Sequence, residues 1–361
     1  MRSVILVCCL VACAVLAPRS AGAAAAPDTA QAHRYYRQGL AFYAEGHYVE
    51  ALRQFQNATF FDPTGSEIRF AQGLCLLKLD EPEKARAQFE RTLAAAPDHA
   101  KAHYNLGLAL IELADTTEAR RHLMRASALA PNTPGLHRAL ARIAERGGDL
   151  PGAIAEMRIE SAASPDSAKT HAELGRLLAL SGQPDSALAA FDRAIARDPK
   201  LLEARIAQAR VYESLGRPAD AAQAWSAAAA IDTTRADLWS AVGVDLFRAG
   251  KPDEAAPVFE RAMRLDPKDA KSAFNLGVAL EGLQRHDDAL VAYRAANARD
   301  STYADPWLNA GALLARMGRK DEARLAFERY LTLAPDSPRA EEIRRALSAL
   351  APSGTKKKKS G

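Results

Sequence analysis

Alanine recurs every 34 residues along most of this chain, nine times without a slip: Ala51, Ala85, Ala119, Ala153, Ala187, Ala221, Ala255, Ala289 and Ala323. A fixed period of that length leaves few folds open, because each copy must be one supersecondary unit that stacks on the next. Counting Ala32 as position 1, the copies begin at Ala32, Ser66, Ala100, Pro134, Ala168, Leu202, Ala236, Ala270 and Ala304, and the recurring alanine is position 20. Other columns are nearly as strict. Position 8 is glycine in seven copies and alanine in two (Ala141, Ala209), and position 24 is always large and apolar, from Phe55 through Trp225 to Phe327. Position 32 is proline except at Thr233 and Ser301.

These columns describe two helices per copy. Small residues at positions 8 and 20 let the helices approach closely, and the large residue at 24 fills the space left between layers. Glycine at position 15 (Gly46, Gly148, Gly182, Gly216, Gly250, Gly318) suits the left-handed turn that ends the first helix. Pro82, Pro184, Pro218 and Pro252 then suit the first position of the second helix, where a missing amide hydrogen costs nothing. Acids just inside that start, such as Asp253 with Glu254, complement the positive helix end. After the ninth copy, residues 338–350 place Ile343, Leu347 and Leu350 on one face with charges opposite, the pattern of a helix that closes the last apolar surface.

The repeat is similar to the tetratricopeptide repeat (TPR), whose pattern runs W-x2-L-G-x2-Y, then A-x3-F, then P. The seventh copy carries it as "WSAVGVDLF" from Trp239, "AAPVF" from Ala255, and Pro267. The resemblance covers residues 32–337 and implies an all-α fold, a right-handed α-solenoid, or superhelix, of antiparallel helix pairs. It also implies a groove lined by the first helices, with positions 2, 5, 9 and 12 facing a bound protein segment.

Carried onto this chain, those positions place Tyr36, Leu40, Tyr43, Phe70, Leu74, Leu77, Tyr104, Leu108 and Ile111 along the first three copies. Arg138, Arg142, Arg176 and Arg210 follow in copies four to six, and Val244, Phe247, Phe274, Val278 and Leu308 in the last three. Such a surface fits a peptide with apolar anchors around an acidic stretch. Arg142 and Arg210 each have a glutamate three residues on (Glu145, Glu213), within pairing distance on a helix. Asn105, Asn275 and Asn309 share position 6, where some relatives hold a peptide backbone with an asparagine ladder; here Ala139, Glu173, Ala207 and Ala241 interrupt it. The Lys and Asn pair of the chaperone-binding carboxylate clamp occurs in no copy.

Both ends of the chain are distinctive. Arg2, the apolar run from Val4 to Ala17 and the small residues Ala21 and Ala23 read as a signal peptide over 1–23, followed by a linker over 24–31. "LVAC" at Leu10 to Cys13 offers a second reading, a lipoprotein leader over 1–12 with lipidation at Cys13. At the other end, 351–361 is a polar, basic segment expected to be disordered, whose Lys356 to Lys359 either touch anionic lipid or polysaccharide or stay solvated. The net charge of +4 comes from these ends: without the four lysines, Arg2 and Arg19, the 48 basic residues fall to 42 against 44 acidic. The body is therefore not expected to bind nucleic acid.

Chemistry beyond binding is not legible. There is no glycine-rich phosphate loop, no G-x-S-x-G, no H-E-x-x-H and no C-x-x-C, so no enzyme and no cofactor are expected. His103, His137 and His171 share position 4, a packing position, and no ligand set for a metal completes around them. Cys75 is the one cysteine outside the leader and reads as a small core residue. The expectation is a non-enzymatic scaffold in the bacterial cell envelope, in the periplasm, binding a protein or peptide. The lipidated alternative is an outer-membrane lipoprotein assisting secretion, pilus or polysaccharide-export assembly, touching membrane only through Cys13 or the lysine tail.

Overall fold

The structure, a computed structural model, describes residues 28–350. The leader with Cys13 and the basic tail lie outside the described residues. Among those described there are nineteen helices and no strand. Cα packing divides the chain into two units, 1–143 and 144–361. The first holds α1 (Thr29–Ala44), α2 (Tyr48–Phe61), α3 (Ser66–Lys78), α4 (Pro82–Ala95), α5 (Ala100–Glu112), α6 (Thr116–Leu129) and most of α7 (Leu136–Arg146). The second holds the end of α7, then α8 (Leu150–Ala163), α9 (Ala168–Leu180), α10 (Pro184–Arg197), α11 (Leu202–Ser214), α12 (Pro218–Ile231) and α13 (Ala236–Arg248). It continues with α14 (Pro252–Leu265), α15 (Ala270–Gly282), α16 (His286–Arg299), α17 (Asp305–Arg316), α18 (Lys320–Leu333) and α19 (Ala340–Leu350). The helices from α1 to α6, and those from α8 to α19, each pack on their chain neighbours, so the fold is an all-α solenoid of helix pairs. The first helix begins at Thr29, ahead of the expected repeat start at Ala32, because Asp28 accepts from the Gln31 amide at 3.1 Å and caps it there.

Within a pair, contact between positions 8 and 24 sets how close the helices come. A Cβ added at Gly175 would sit 2.7 Å from the Phe191 ring, and one at Gly277 would sit 2.5 Å from Tyr293. Where position 8 is already alanine, in the pair α11 and α12, the facing residue is Trp225 and both are buried in one cluster. The recurring alanine at position 20 is fully buried in every copy. At the far end, Ile343 is buried and Leu347 and Leu350 pack beside it on the cluster of Phe327 and Tyr330.

Position 15 turns the chain from first to second helix with positive φ in all nine copies. Six are glycine, but Asp80, Ala114 and Gln284 adopt φ of 59°, 60° and 60° at the same place. A side chain there crowds its own backbone, a cost of about 1–2 kcal/mol that glycine avoids.

A second interaction ties most copies to the one before. In six successive copies the side chain at position 4 donates a hydrogen bond to the position-32 carbonyl across the junction. Arg69 donates to Pro63, and His103, His137 and His171 donate through Nε2 to Pro97, Pro131 and Pro165 at 2.9, 3.2 and 2.9 Å. Arg205 reaches Pro199 at 3.2 Å and the Trp239 indole reaches Thr233 at 3.3 Å. In the eighth copy Ala273 has nothing to donate, and Arg299 reaches Pro267 at 2.9 Å instead. Position 4 is thus a donor site as well as a packing site, which is why His, Arg and Trp alternate there. A carbonyl can only accept, so each of these imidazoles carries its hydrogen on Nε2. Nδ1 of His171 then accepts from Ser161 at 3.0 Å, and Nδ1 of His103 from His122 at 2.9 Å. With both nitrogens engaged, and burial lowering the His103 pKa, these rings are structural.

Two outcomes follow for stability, both read by urea denaturation. Ala114→Gly and Gln284→Gly should each stabilise the protein by about 1 kcal/mol, by relieving the left-handed residue; no gain would mean that the turn is not strained. Gly175→Ala should cost about 1–3 kcal/mol and Phe191→Ala about 3–5 kcal/mol. Joining Gly175→Ala to Phe191→Leu should cost less than the two changes separately, since the smaller side chain makes room for the new methyl.

Candidate functional site

The first helices carry the residues expected to face a partner, and their positions differ in how much side chain they leave open. In the first unit Tyr36 is half-buried with its ring 5.6 Å from Phe55, and Tyr43 stands edge-on to Tyr48 at 5.3 Å. Leu40 is exposed, while Leu74, Leu77, Tyr104 and Leu108 are half-buried. Phe70 departs from expectation: it is only 9% exposed, packed against Phe89 at 5.9 Å and His99 at 4.7 Å. The His99 ring, set down by the next copy's N-cap, covers it, so Phe70 belongs to the core and not to a binding surface. Ile111 is buried too. Asn105 is half-buried and turns its amide back onto its own helix, donating to Lys101 at 2.8 Å. Arg138 is half-buried and Arg142 exposed.

In the second unit the arginines are exposed, but Arg176 is not idle. It makes a two-pronged ion pair with Glu145 at 2.6 and 2.8 Å, and that hydrogen bonding holds the Glu145 carboxyl below its ordinary range. Glu213 accepts from the Trp225 indole at 3.3 Å. Both glutamates expected to serve the arginine one turn earlier are therefore engaged by residues of another helix, Glu213 within its own copy and Glu145 by the next. Arg210 is exposed on the same face.

A concavity on a first-helix face lies between α13, α15 and α17. It has a volume of about 440 Å³ and is walled by Val244, Phe247, Phe259, Phe274 and Val278. Asn275, Asn309 and Arg248 supply its polar edge. Phe274 is held in place by the rings of Tyr293 at 5.8 Å and Tyr303 at 5.4 Å. Beneath it the buried Tyr293 hydroxyl donates to Glu281 at 2.7 Å, and Glu281 also receives Arg316. Burial, then the Glu281 hydrogen bond, push the Tyr293 phenol above its usual range. Six of the expected residues, Val244, Phe247, Phe274, Asn275, Val278 and Asn309, are brought together here. Leu308 is not: it is 5% exposed and packs in the core.

Sequence reasoning missed Arg248 and the residue behind it. Asp245 is 1% exposed and accepts from Arg248 at 3.3 Å, while its second carboxylate oxygen has no hydrogen-bond partner. Burial, with the nearby Glu213 charge adding to it, pushes the Asp245 carboxyl up to about 6. A signal was available, since position 10 is apolar in the other eight copies, from Ala41 to Leu313. Among the described residues no group of three His, Cys, Asp or Glu converges to hold a metal, and no helix is long and apolar enough to cross a membrane.

Because the folded state raises the Asp245 pKa from 3.8, it takes up a proton more readily than the unfolded chain. This residue therefore favours folding most below pH 4 or so, and that contribution is lost as pH rises through about 6. Asp245→Asn should raise the thermal midpoint by a few degrees at pH 8 and leave it nearly unchanged at pH 4. An equal effect at both pH values would show that the buried charge is not what strains the site.

Three family models described as tetratricopeptide repeat match the chain, at residues 36–100 and 243–304, at 76–143 and 178–243, and at 304–337. No curated protein sequence matches it. Among solved structures, the C-terminal part of a TPR repeat-containing protein from Cytophaga hutchinsonii is 17% identical, covering 66% of this chain and 98% of that one with a TM-score of 0.56. YrrB, described as a TPR protein with an unusual peptide-binding site, is 23% identical over 52% of this chain and 97% of its own, TM-score 0.45. MamA is 22% identical over 47% and 93%, TM-score 0.43. At these identities the likeness is one of fold.

Proposed function

Since the chain belongs to the tetratricopeptide-repeat family, we propose that it is a non-enzymatic scaffold that binds a protein segment on its first-helix faces. The observation that carries this reading is the cup of Val244, Phe247, Phe274 and Val278, edged by Asn275, Asn309 and Arg248. Apolar walls take one aliphatic or aromatic side chain, the two carboxamides offer both a donor and an acceptor to an extended backbone, and the guanidinium favours an acid beside the anchor. Phe247 is 37% exposed, a large apolar surface left at the rim. The arginines at 176 and 210 extend the preference for acidic partners within this unit, although Glu145 already neutralises the first.

The site of action in this proposal is the bacterial cell envelope, supported by the signal-like pattern over 1–23. The alternative, an outer-membrane lipoprotein assisting secretion, pilus or polysaccharide-export assembly, rests on "LVAC" ending at Cys13. Intact mass of the exported protein separates them: a mature chain beginning after Ala23 supports the first, and a diacylated Cys13 the second.

The binding proposal is tested by selecting peptides from a random 12-residue display library on the full chain. Recovered peptides should pair an apolar residue with a neighbouring acid. Phe247→Ala, whose side chain is too exposed to matter much for folding, should weaken them about 10- to 30-fold. Peptides that bind the variant as tightly as the parent would place the binding surface elsewhere.

A further inference from the structure

A second hollow, independent of the cup, opens between α8, α9 and α10. Its volume is about 480 Å³, its floor includes Leu174, and no acid lines it. Three guanidiniums do: Arg158 from α8, and Arg193 and Arg197 from α10. We propose that this hollow is a receptor for a phosphomonoester dianion.

The arginines are arranged as in no other copy. They occupy position 25 of the fourth repeat and positions 26 and 30 of the fifth, and no other junction has arginine at all three. Of the five arginines at 26 or 30 in other copies, three are already engaged: Arg125 pairs with Asp98 at 2.5 Å, Arg261 stacks 3.6 Å over the Trp239 ring, and Arg299 caps carbonyls. Here Arg158 and Arg193 make no ion pair among the described residues, and the acid beside Arg193, Asp192, is taken by Gln208 at 2.7 Å. Arg197 is anchored through Nε, which donates to the Pro165 carbonyl at 3.2 Å and lies 3.1 Å from Asp166. That carbonyl is the same one His171 holds at 2.9 Å, with Ser161 fixing the imidazole from its other side. The junction bond common to the array thus also steadies one wall of the hollow.

Three guanidiniums against the single, largely exposed Asp166 leave two positive charges. Even at about 4 Å a like-charge pair in water costs only about 1 kcal/mol, so the exposed cluster is stable when empty. A phosphomonoester, with a charge of about −1.5 to −2 at pH 7 and three acceptor oxygens, matches both the charge and the planar donors. A single carboxylate would leave one charge unmatched. The headgroup of a lipid and a soluble phosphate share this chemistry, and the test separates them.

The full chain is titrated calorimetrically with inorganic phosphate at constant ionic strength, with chloride as control. It is also mixed with phosphatidylcholine vesicles carrying either phosphatidic acid, a monoester, or phosphatidylglycerol, a diester. Phosphate should bind in preference to chloride, and Arg158→Gln with Arg193→Gln should weaken it at least 10-fold. Thermal stability in chloride should be unchanged, because both side chains are exposed. The lysines at 356–359 attract both vesicles alike, so the reading is the preference for phosphatidic acid over phosphatidylglycerol. A preference that the double variant abolishes assigns the hollow to a lipid headgroup, and phosphate binding without it assigns a soluble ligand. Failure of both ligands to bind selectively, or undiminished binding by the double variant, overturns the proposal.

Discussion

The contact between position 8 and position 24 is the constraint on which the rest depends. A ring lies where the Cβ of a first-helix residue would otherwise be, at 2.5 Å for Gly39 against Phe55 and 2.6 Å for Gly243 against Phe259. The missing methyl lets the backbones close until the ring is fully buried, and close packing then extends outward to the recurring alanine at position 20. Only with that spacing repeated does each pair present the same surface to the next, which is how a unit too thin to hold a core of its own acquires one. The partner at position 24 is not fixed by this contact alone: Trp225 is buried with Ala209, and Leu123 faces Gly107.

The junctions between copies obey a different rule. Pairs stack through apolar surface, but the position-32 carbonyl at the start of each junction would be left short of a partner, because the turn there makes no helical hydrogen bond to it. Position 4 supplies the donor. His103, His137 and His171 look in isolation like candidates for metal or acid–base chemistry, yet one nitrogen of each is committed to that carbonyl. Where the eighth copy has Ala273, an arginine from the second helix takes over. The requirement is a hydrogen on a ring or guanidinium nitrogen, so residue identity varies while the bond recurs from the second copy to the eighth; in the ninth the Trp307 ring N–H is buried without a partner.

Freed from packing, the remaining first-helix positions divide into two kinds. Some, such as Phe70 and Leu308, are drawn into the core by neighbours that happen to cover them. Others, such as Phe247, stay open because nothing reaches over them, and the cup forms where several open residues adjoin. One polar group of that edge is linked back to a buried one: Arg248 donates to Asp245. A binding edge is in this way fastened to the interior rather than left to loose side chains.

Much of the fold was legible in the sequence, since it is written in short range. Glycine at 15, proline at 17 and the small and large columns act on their own helix pair, and nine copies make the period unmistakable. Even the left-handed turns at Asp80, Ala114 and Gln284 follow from register alone. The site was legible only by position. Register named Phe247, Phe274, Asn275 and Asn309, but it named Phe70 equally, and it paired the arginines with the wrong glutamates. Which side chains stay open, and which acid meets which base, depends on residues about 30 positions away, as Arg176 with Glu145 shows. Local spacing decides the helices; the distance of approach between neighbouring copies decides what lies buried, paired or free, and no periodicity within one copy carries that information.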